Sequence, residues 1–570
     1  MGRNYIPIHY VYEGIFLKNT LEKKSSIKNG IKRMVFIGAS FIIETTLIVL
    51  LFTSLYNYAE VISIIMRVLG VITILYIYGQ PKTSAMKMPW IILILALPAF
   101  GIALFLTIGF NASPRLLSRN FLDINRQVMS HVPDNDRCAD KLKRDNRIAY
   151  GISNYVKNNS GFPVYENGGV KYFSQATDGL DAIIEDLKKA EKFIFMEYFA
   201  IENSDTWKRV EKVLVEKASE GVEVRVFYDD IGSIGFVNLD FSKHLNSLGI
   251  KCKVFNPCVV GWKLILNHRD HRKITIIDGK IAYTGGFNLA NEYFGVTHPY
   301  GEWKDTGIRI EGTPVNSYTA AFLAMWNFDR KKLVTVDPET DIKPYLTYDE
   351  NLKAIEGKVE DASEVSIAET VEDTSEVSTA ETAEDKLRSG YIHPYADTPL
   401  DHENLGEEIY ISIINQAQEY CYFITPYLIV TDEMLHALRL AAKRGVDVRI
   451  ITPGIPDKKV VYRLTRSYYS ALIKSGVRIY EWTPGFCHAK VCVSDDKLAT
   501  CGTINLDYRS LYHNFEDGCL MIEVDAIKDI KADFDNTFEE SKEVTGLPKY
   551  HRKTDIHIID RILRLFAEFL

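Results

Sequence analysis

The amino-acid sequence predicts two duplicated α/β/α domains that share one central site, preceded by N-terminal transmembrane helices. Three observations predict it. A pattern of five residues occurs twice, at 271–288 and 488–505. A similar order of helices and strands precedes each copy. Long apolar runs crowd the first 110 residues, although the whole chain, at 25% charged and 46% hydrophobic, has an ordinary globular average.

Residues 1–33 form a basic N-terminal tail, without the short apolar core and cleavage pattern of a removable signal. Residues 34–110 are expected to be a membrane region with about three transmembrane helices. The run 34–55 is nearly all apolar; Glu44, costly in lipid, should face a partner helix or lie near an interface. The run 61–78 is interrupted by Arg67 and flanked by Tyr56, Tyr58, Tyr76 and Tyr78, as by an interfacial aromatic belt. The run 90–110, which includes Pro98 and Gly101, is the cleanest span. Residues 111–160 read as a polar, helical connector.

The first catalytic domain is expected over 161–345. Periodicity gives helices at 177–189 and 207–220, the second ended by Gly221, and strands at 193–199 and 222–228. A further helix is expected at 317–326. The segment 357–388 differs in kind. V-E-D-A-S-E-V-S-I-A-E-T (359–370) is followed by V-E-D-T-S-E-V-S-T-A-E-T (371–382). Acidic, small and polar residues in tandem cannot bury a core, which predicts a disordered linker. The second domain is expected over 389–570. There 421–429 resembles 192–201, and 441–450 resembles 217–226, so the two domains read as an internal duplication. The amphipathic stretch I-I-D-R-I-L-R-L-F-A-E-F-L (558–570) should lie on a membrane surface or pack on its own domain.

The repeated pattern carries the chemistry. The first copy contains His271, Lys273, Asp278, Gly285 and Asn288; the second contains His488, Lys490, Asp495, Gly502 and Asn505, at identical intervals. The β-branched residues after each His predict a strand, and on a strand positions i and i+2 share a face. His271 therefore projects with Lys273, and His488 with Lys490. Asp278-Gly279 and Asp495-Asp496 read as tight hairpin turns. If the halves face each other, one cleft collects two imidazoles, two ammonium groups and two carboxamides. That set suits a phosphodiester: Lys and Asn hold the non-bridging oxygens, one His attacks phosphorus, and the other protonates the leaving alcohol.

The paired H-x-K-x4-D-x6-G-x2-N motifs resemble the phospholipase D superfamily. The stretches N-H-R-D-H-R-K-I, P-G-I-P-D-K-K, Y-E-W-T-P-G-F-C-H-A-K and G-T-I-N-L-D-Y-R-S-L are closer still to bacterial cardiolipin synthases. The resemblance implies two phospholipase D-like domains and a phosphohistidine intermediate. It also implies transfer of a phosphatidyl group from one phosphatidylglycerol to another, giving cardiolipin and glycerol. It assigns His271, Lys273, Asp278, His488, Lys490 and Asp495 to the catalytic motifs. By analogy His271 is the nucleophile and His488 the general acid and base, an order that pseudo-symmetry leaves open. Asn288 and Asn505 join the lysines as substrate-binding residues. Asp278 and Asp495, at strand ends, are expected to anchor the motifs rather than touch substrate. Glu197 and Glu516 are candidates to orient the imidazoles, with a core or surface carboxylate as the equal alternative.

Net charge is −8, but the ten acidic residues between Glu360 and Asp385 account for more than all of it. A near-neutral remainder argues against a nucleic-acid partner. The eight cysteines form no C-x-x-C pair, so no metal site is expected, and two lysines make a metal unnecessary for holding phosphate. No cofactor is expected; the partners are phosphatidylglycerol and membrane lipids. The location is a bacterial cell membrane, crossed more than once. Lys and Arg in the tail and in the 81–87 loop favour an outside catalytic region. Arg115, Arg119 and Arg126, the cysteines and the resemblance favour the cytoplasm, the side expected here. Short members of the family have two spans, so a third is a departure. Water as acceptor gives a hydrolase instead; a membrane-tethered nuclease and a scaffold with a relict site are the other readings.

Overall fold

The computed structural model describes residues 59–109, 115–238, 240–257, 268–329, 334–348, 389–401, 403–551 and 558–569, with Ile42 and Thr46. The tail 1–33, the expected span 34–55 apart from those two residues, and the acidic repeat 359–382 lie outside them.

Each half is built on one sheet. In the first, seven strands run in the order Val170–Phe173, Gly307–Glu311, Ile281–Gly285, Lys273–Ile277, Phe193–Tyr198, Glu223–Asp229 and Lys251–Phe255. In the second, the same positions are taken by Tyr391–Asp397, Asn514–Ile522, Leu498–Gly502, Val491–Ser494, Tyr420–Ile424, Asp447–Pro453 and Arg478–Trp482. Tyr165–Glu166 and Ser541–Glu543 extend its two edges. The duplication is thus a duplication of topology. Its register puts Phe193 opposite Tyr420 in the two halves, two residues from the match between 192–201 and 421–429 that the sequence suggests.

Strand parity divides the core. Ile194 and Met196 face the helices Ala176–Leu187 and Asp205–Ser219, where they join Leu180, Ile183, Val210 and Leu214 in one cluster. Phe193 and Phe195 face the other way, onto the helix Val315–Asn327. Phe195 and Phe322 stack with ring centroids 4.6 Å apart. This helix is buried from Val315 to Trp326, because the second sheet covers its far side with Ile392, Val491 and Phe515. Its counterpart, Ala526–Glu539, reaches back to the first half: Asp533 accepts from the Tyr172 hydroxyl at 2.8 Å and from Lys304 Nζ at 2.7 Å. The halves therefore share one core rather than touching at a rim.

The expected connector belongs to that core too. It forms the helices Arg115–Met129, Asp136–Asp145 and Arg147–Ser160. Phe121, Ile124 and Val128 pack in the cluster that holds Val315–Asn327. Ile152 and Val156 pack with Tyr395 and Ile409 of the second half. The third helix is capped at its start by Asn146, whose side chain accepts from Ala149 N, and ended by Gly161 at φ 83°.

Among the described residues no helix is long and apolar enough to cross a membrane. The run 61–78 lies in the helix Ala59–Tyr78. The run 90–110, expected as one span, is divided. One helix ends at Ala96, Leu97 leaves the helical region (φ −140°, ψ 76°), and Pro98–Leu104 starts afresh, followed by a π-turn at Phe105–Gly109. Pro98 explains the break, since proline disfavours the helical conformation in the residue before it. The pieces then fold together so closely that a Cβ on Gly101 would stand 2.7 Å from Ile94 Cα, and one on Gly109 2.7 Å from the Trp90 ring.

Both motif hairpins form as expected. Asp278 and Gly279 (φ 54° and 66°) and Asp495 and Asp496 (φ 53° and 54°) have the two left-handed residues of a type I′ turn. The motif glycines permit close strand approach: a Cβ on Gly285 would lie 2.3 Å from Thr306 O, and one on Gly502 2.4 Å from Asp517 O. The motif aspartates are clamps. Asp278 accepts from the amides of Glu191, Lys192 and Phe193 at 2.7–2.9 Å. Asp495 accepts from those of Gln418, Glu419 and Tyr420 at 2.8–3.0 Å. Neither touches a motif histidine. Replacing Asp278 by Ala should therefore cost about 2 kcal/mol of stability, the net worth of charge-assisted hydrogen bonds. Thermal unfolding of the purified variant should show a lower midpoint. An unchanged midpoint with abolished activity would instead put Asp278 in the chemistry.

Candidate active site

The site forms where the halves exchange strands. Arg269–Asp270 pairs in parallel with Asn514 and Phe515 of the second half, and the His271 amide donates to Phe515 O at 2.9 Å. Gly485–Cys487 pairs in parallel with Glu302–Lys304 of the first half, and the His488 amide donates to Lys304 O at 2.7 Å. Each motif histidine thus enters its strand from a position fixed by the opposite domain.

The side chains repeat the exchange. His271 Nδ1 lies 2.8 Å from Glu516 Oε2, and His488 Nδ1 lies 2.7 Å from Asp305 Oδ2. Each bond crosses between domains. A carboxylate at Nδ1 holds that nitrogen as N–H and leaves the Nε2 lone pair free to react. Lys273 Nζ donates to His271 O at 2.5 Å, and Lys490 Nζ to His488 O. Lys490 Nζ also lies 2.7 Å from His488 Nδ1 and 3.0 Å from its Nε2, a place a phosphate oxygen would compete for. The charges act on one another: Lys490 lowers the pKa of His271, and Lys273 that of His488. The side chains of the two motifs are therefore close enough to act on one another, as expected if the halves face each other.

Electrostatics separate the two pairs. Burial, then Lys273 and Lys490, hold His271 well below the usual histidine value. Burial and Lys490 take His488 to about 3, against the pull of Asp305. Burial takes Lys273 down to about 8 and Lys490 to about 7, although neighbouring carboxylates oppose it. The carboxylates differ. Burial pushes Glu516 up to about 7 despite Lys273 and the Thr503 hydroxyl. Burial also acts on Asp305, but His488 and Lys490 outweigh it and hold its carboxyl below the ordinary value.

The remaining candidates divide. Glu516 reaches a motif imidazole. Glu197 does not: it stands opposite Ile274 in the strand register, so it points away from the Lys273 face. It is fully buried, 3.7 Å from Arg272, and Asp270 acts electrostatically on its carboxyl. Burial and Asp270 raise its pKa well above the usual range. Asn288 is committed on two sides, accepting from Ala200 N at 3.0 Å and donating to the Tyr293 hydroxyl at 2.8 Å. Asn505 Oδ1 is buried without a hydrogen-bond partner among the described residues. Cys487 is buried, with its thiol pushed up to about 12 by burial.

Asp305 is the functional candidate that sequence reasoning passed over. Its signal was present. Asp305 stands two residues before Gly307, which pairs with Gly285; Glu516 stands two before Gly518, which pairs with Gly502. Aromatic rings close the site: Phe199 lies edge-on to His271 at 5.0 Å, and Tyr293 and Trp303 lie 5.5 and 5.3 Å from His488.

Duplicated sheets that cross a histidine and a carboxylate in each direction, with a lysine beside each imidazole, define a two-histidine phosphodiester-transfer class. The comparisons agree. A family model described as "Cardiolipin synthase, PLD-like domain" matches twice, over residues 183–326 and 410–538. An uncharacterized protein of Streptococcus mutans is 39% identical over 498 residues, 87% of this chain and 99% of that protein. A cardiolipin synthase of Oceanobacillus iheyensis is 28% identical over 89% of this chain and 98% of its own. A cardiolipin synthase 2 of Bacillus cereus is 27% identical over 87% of this chain and 88% of its own. A phosphatidylserine synthase of Haemophilus influenzae shares the fold, with a TM-score of 0.50 at 14% identity over 73% of this chain and 97% of that one. The chain belongs to the phospholipase D superfamily.

Replacing Asp305 by Asn should keep the fold but release the His488 tautomer. Activity should fall about 10²–10⁴-fold, the range for losing a correctly held acid–base group. A steady-state assay beside a melting curve checks it, and activity within twofold of wild type would remove Asp305 from the machinery.

Proposed function

We propose that the protein is a cardiolipin synthase, a phosphatidyltransferase that joins two phosphatidylglycerol molecules and releases glycerol. The observation that carries the reading is the pair of crossed histidine–carboxylate bonds with a lysine at each histidine. His271 Nε2 attacks phosphorus, and the bond from phosphorus to the glycerol headgroup oxygen breaks. His488 gives that oxygen its proton. The phosphatidyl group then rests on His271. The hydroxyl of a second phosphatidylglycerol loses its proton to His488 and attacks phosphorus, which frees His271. Lys273, Lys490, Asn288 and Asn505 hold the non-bridging oxygens.

The unequal carboxylates support this division of labour. Ionised Asp305 favours an imidazolium at His488, as an acid–base group needs. Glu516, raised to about 7, gives less support to charge, and His271, held far below the usual value, keeps its lone pair. A bound phosphate would offset the lysine charge, which after burial is what lowers His488. The apolar region 34–110 would keep the domains at a bacterial membrane, on its cytoplasmic side, where donor, acceptor and product are all lipids. The names of the cardiolipin synthases it resembles point the same way. Water as acceptor would make the same site a hydrolase.

Labelled phosphatidylglycerol in mixed micelles tests the reading. Wild type should give cardiolipin and glycerol; His271→Ala and His488→Ala should each lose at least 10³-fold. Phosphatidic acid without cardiolipin would make the enzyme a hydrolase, and no lipid product would end the proposal. The lysines predict the pH dependence. Their ammonium charge is present below about 7 to 8 and lost above it. In the free enzyme, kcat/KM should therefore fall as pH rises through that window. A profile flat to pH 10 would contradict it.

A further inference from the structure

The helix Ile558–Leu565 is docked the wrong way round for a soluble protein. Its polar side faces its own domain. Asp560 is 9% exposed and meets Arg463 Nε at 2.5 Å. Arg564 donates to Ser467 Oγ at 2.9 Å and lies 4.2 Å over the Tyr468 ring. Leu563 and Ala567 complete this inner side. The outer side holds Ile558, Ile559, Ile562 and Phe566, exposed by 74%, 51%, 53% and 48%. At 100° per residue these four fall within one arc of the helix, opposite Asp560 and Arg564. An amphipathic helix of a soluble domain buries its apolar stripe in the core. Here ion pairing and hydrogen bonds turn that stripe outward.

The stripe is continuous with other exposed apolar surface. The helix contacts Ser84–Ala96, which exposes Met88, Ile92 and Leu95 at helical spacing. Beside that, Ala59–Tyr78 exposes Ile64, Ile65, Val68, Val71, Ile72 and Leu75, which at 100° per residue share one arc of about 120°. Exposed apolar faces on three neighbouring helices make a patch larger than soluble surfaces usually carry, as a lipid-contacting surface would. Exposed Arg561 stands at the border of the stripe, where an anionic headgroup would meet it. The turn Ala567–Phe569 then contacts the helix Tyr508–Tyr512, whose Arg509 acts electrostatically on His271.

We propose that the outer face of Ile558–Leu565, with Phe566, is a bilayer-docking surface. It would lie in the lipid interface beside the Ser84–Ala96 helix and seat the catalytic domains one helix away from their substrate. A second copy of the chain is the rival occupant. It is less favoured because a symmetric contact would bring two Arg561 side chains together.

The face itself does not depend on which lipid reaction the site runs, so the first readout is independent of activity. Full-length protein carrying Ile562→Cys is spin-labelled and reconstituted in phosphatidylglycerol vesicles, beside unsubstituted protein labelled in parallel as background. The label at 562 should be more accessible to oxygen than to a water-soluble nickel chelate. Greater access for nickel would overturn the proposal, and so would dipolar broadening between labels, the signature of a second copy. The second readout compares Ile559→Ser/Ile562→Ser/Phe566→Ser with wild type. Transfer from long-chain lipid in vesicles should fall about tenfold, and transfer from monomeric short-chain phosphatidylglycerol should stay within twofold. Equal losses, or none, would overturn the proposal. If wild type is inactive on both substrates, the proposed reaction fails and the label alone decides the docking surface.

Discussion

The molecule depends on one exchange: each half lends the other a short parallel strand at the threshold of the motif. The His271 amide is held by Phe515 O, and the His488 amide by Lys304 O. One residue further along each lending strand stand Glu516 and Asp305, the carboxylates that take the two Nδ1 atoms. Backbone pairing therefore fixes the imidazole, its orienting acid and the distance between them in one step. Neither half owns a complete histidine–carboxylate pair. The shared core follows from this need, since two domains that slid by a fraction of a hydrogen-bond length would break both pairs together. Burying Val315–Asn327 between the sheets supplies the rigidity.

Arg272 shows how much charge the arrangement tolerates. Its guanidinium donates to Glu516 O and Asp397 O, each at 3.1 Å, and to Ala321 O at 3.4 Å. It thus reads three backbone carbonyls, from the second sheet and from the central helix. Glu197 and Asp270 stand beside it, fully buried. Ionised carboxylates are costly in such a place, and burial pushes Asp270 up to about 7. Glu197 therefore serves the joint between the halves, not the histidine. Its place in a strand one residue out of phase with the reactive face decides the matter.

What the sequence made legible was whatever repeats or alternates. The motif spacing located both hairpins, their turns and the paired His and Lys side chains, because a strand leaves no choice about which face i and i+2 share. Periodicity located Phe193–Tyr198, Glu223–Asp229 and the central helix to within about two residues. Three things were less legible. The parity of Glu197 depends on register with a strand far away in the chain. The orienting role of Asp305 exists only once the opposite half is in place. The break at Leu97 was visible as Pro98, but apolarity alone reads 90–110 as one span, and folding back depends on Gly101 fitting against Ile94.

The two halves share a plan but not its details, and the differences fall where a two-step transfer would need them. Alanine follows His488 where Arg272 follows His271. Asn288 is tied on both sides, while Asn505 keeps a buried oxygen without a partner among the described residues. Four residues beyond each motif Asn, Glu292 stands in one half and Arg509 in the other. Burial, with Glu202 and Asp457, pushes Glu292 up to about 7, while Arg509 adds positive charge at His271. A perfectly symmetric cleft would offer two equivalent imidazoles and nothing to decide which takes the phosphatidyl group. Arg509 acts on His271 and is not among the charges that act most on His488, so the two imidazoles are not equivalent. On the proposed reaction, donor and acceptor occupy the same cleft in turn, so a common cradle with unequal walls is what the chemistry requires.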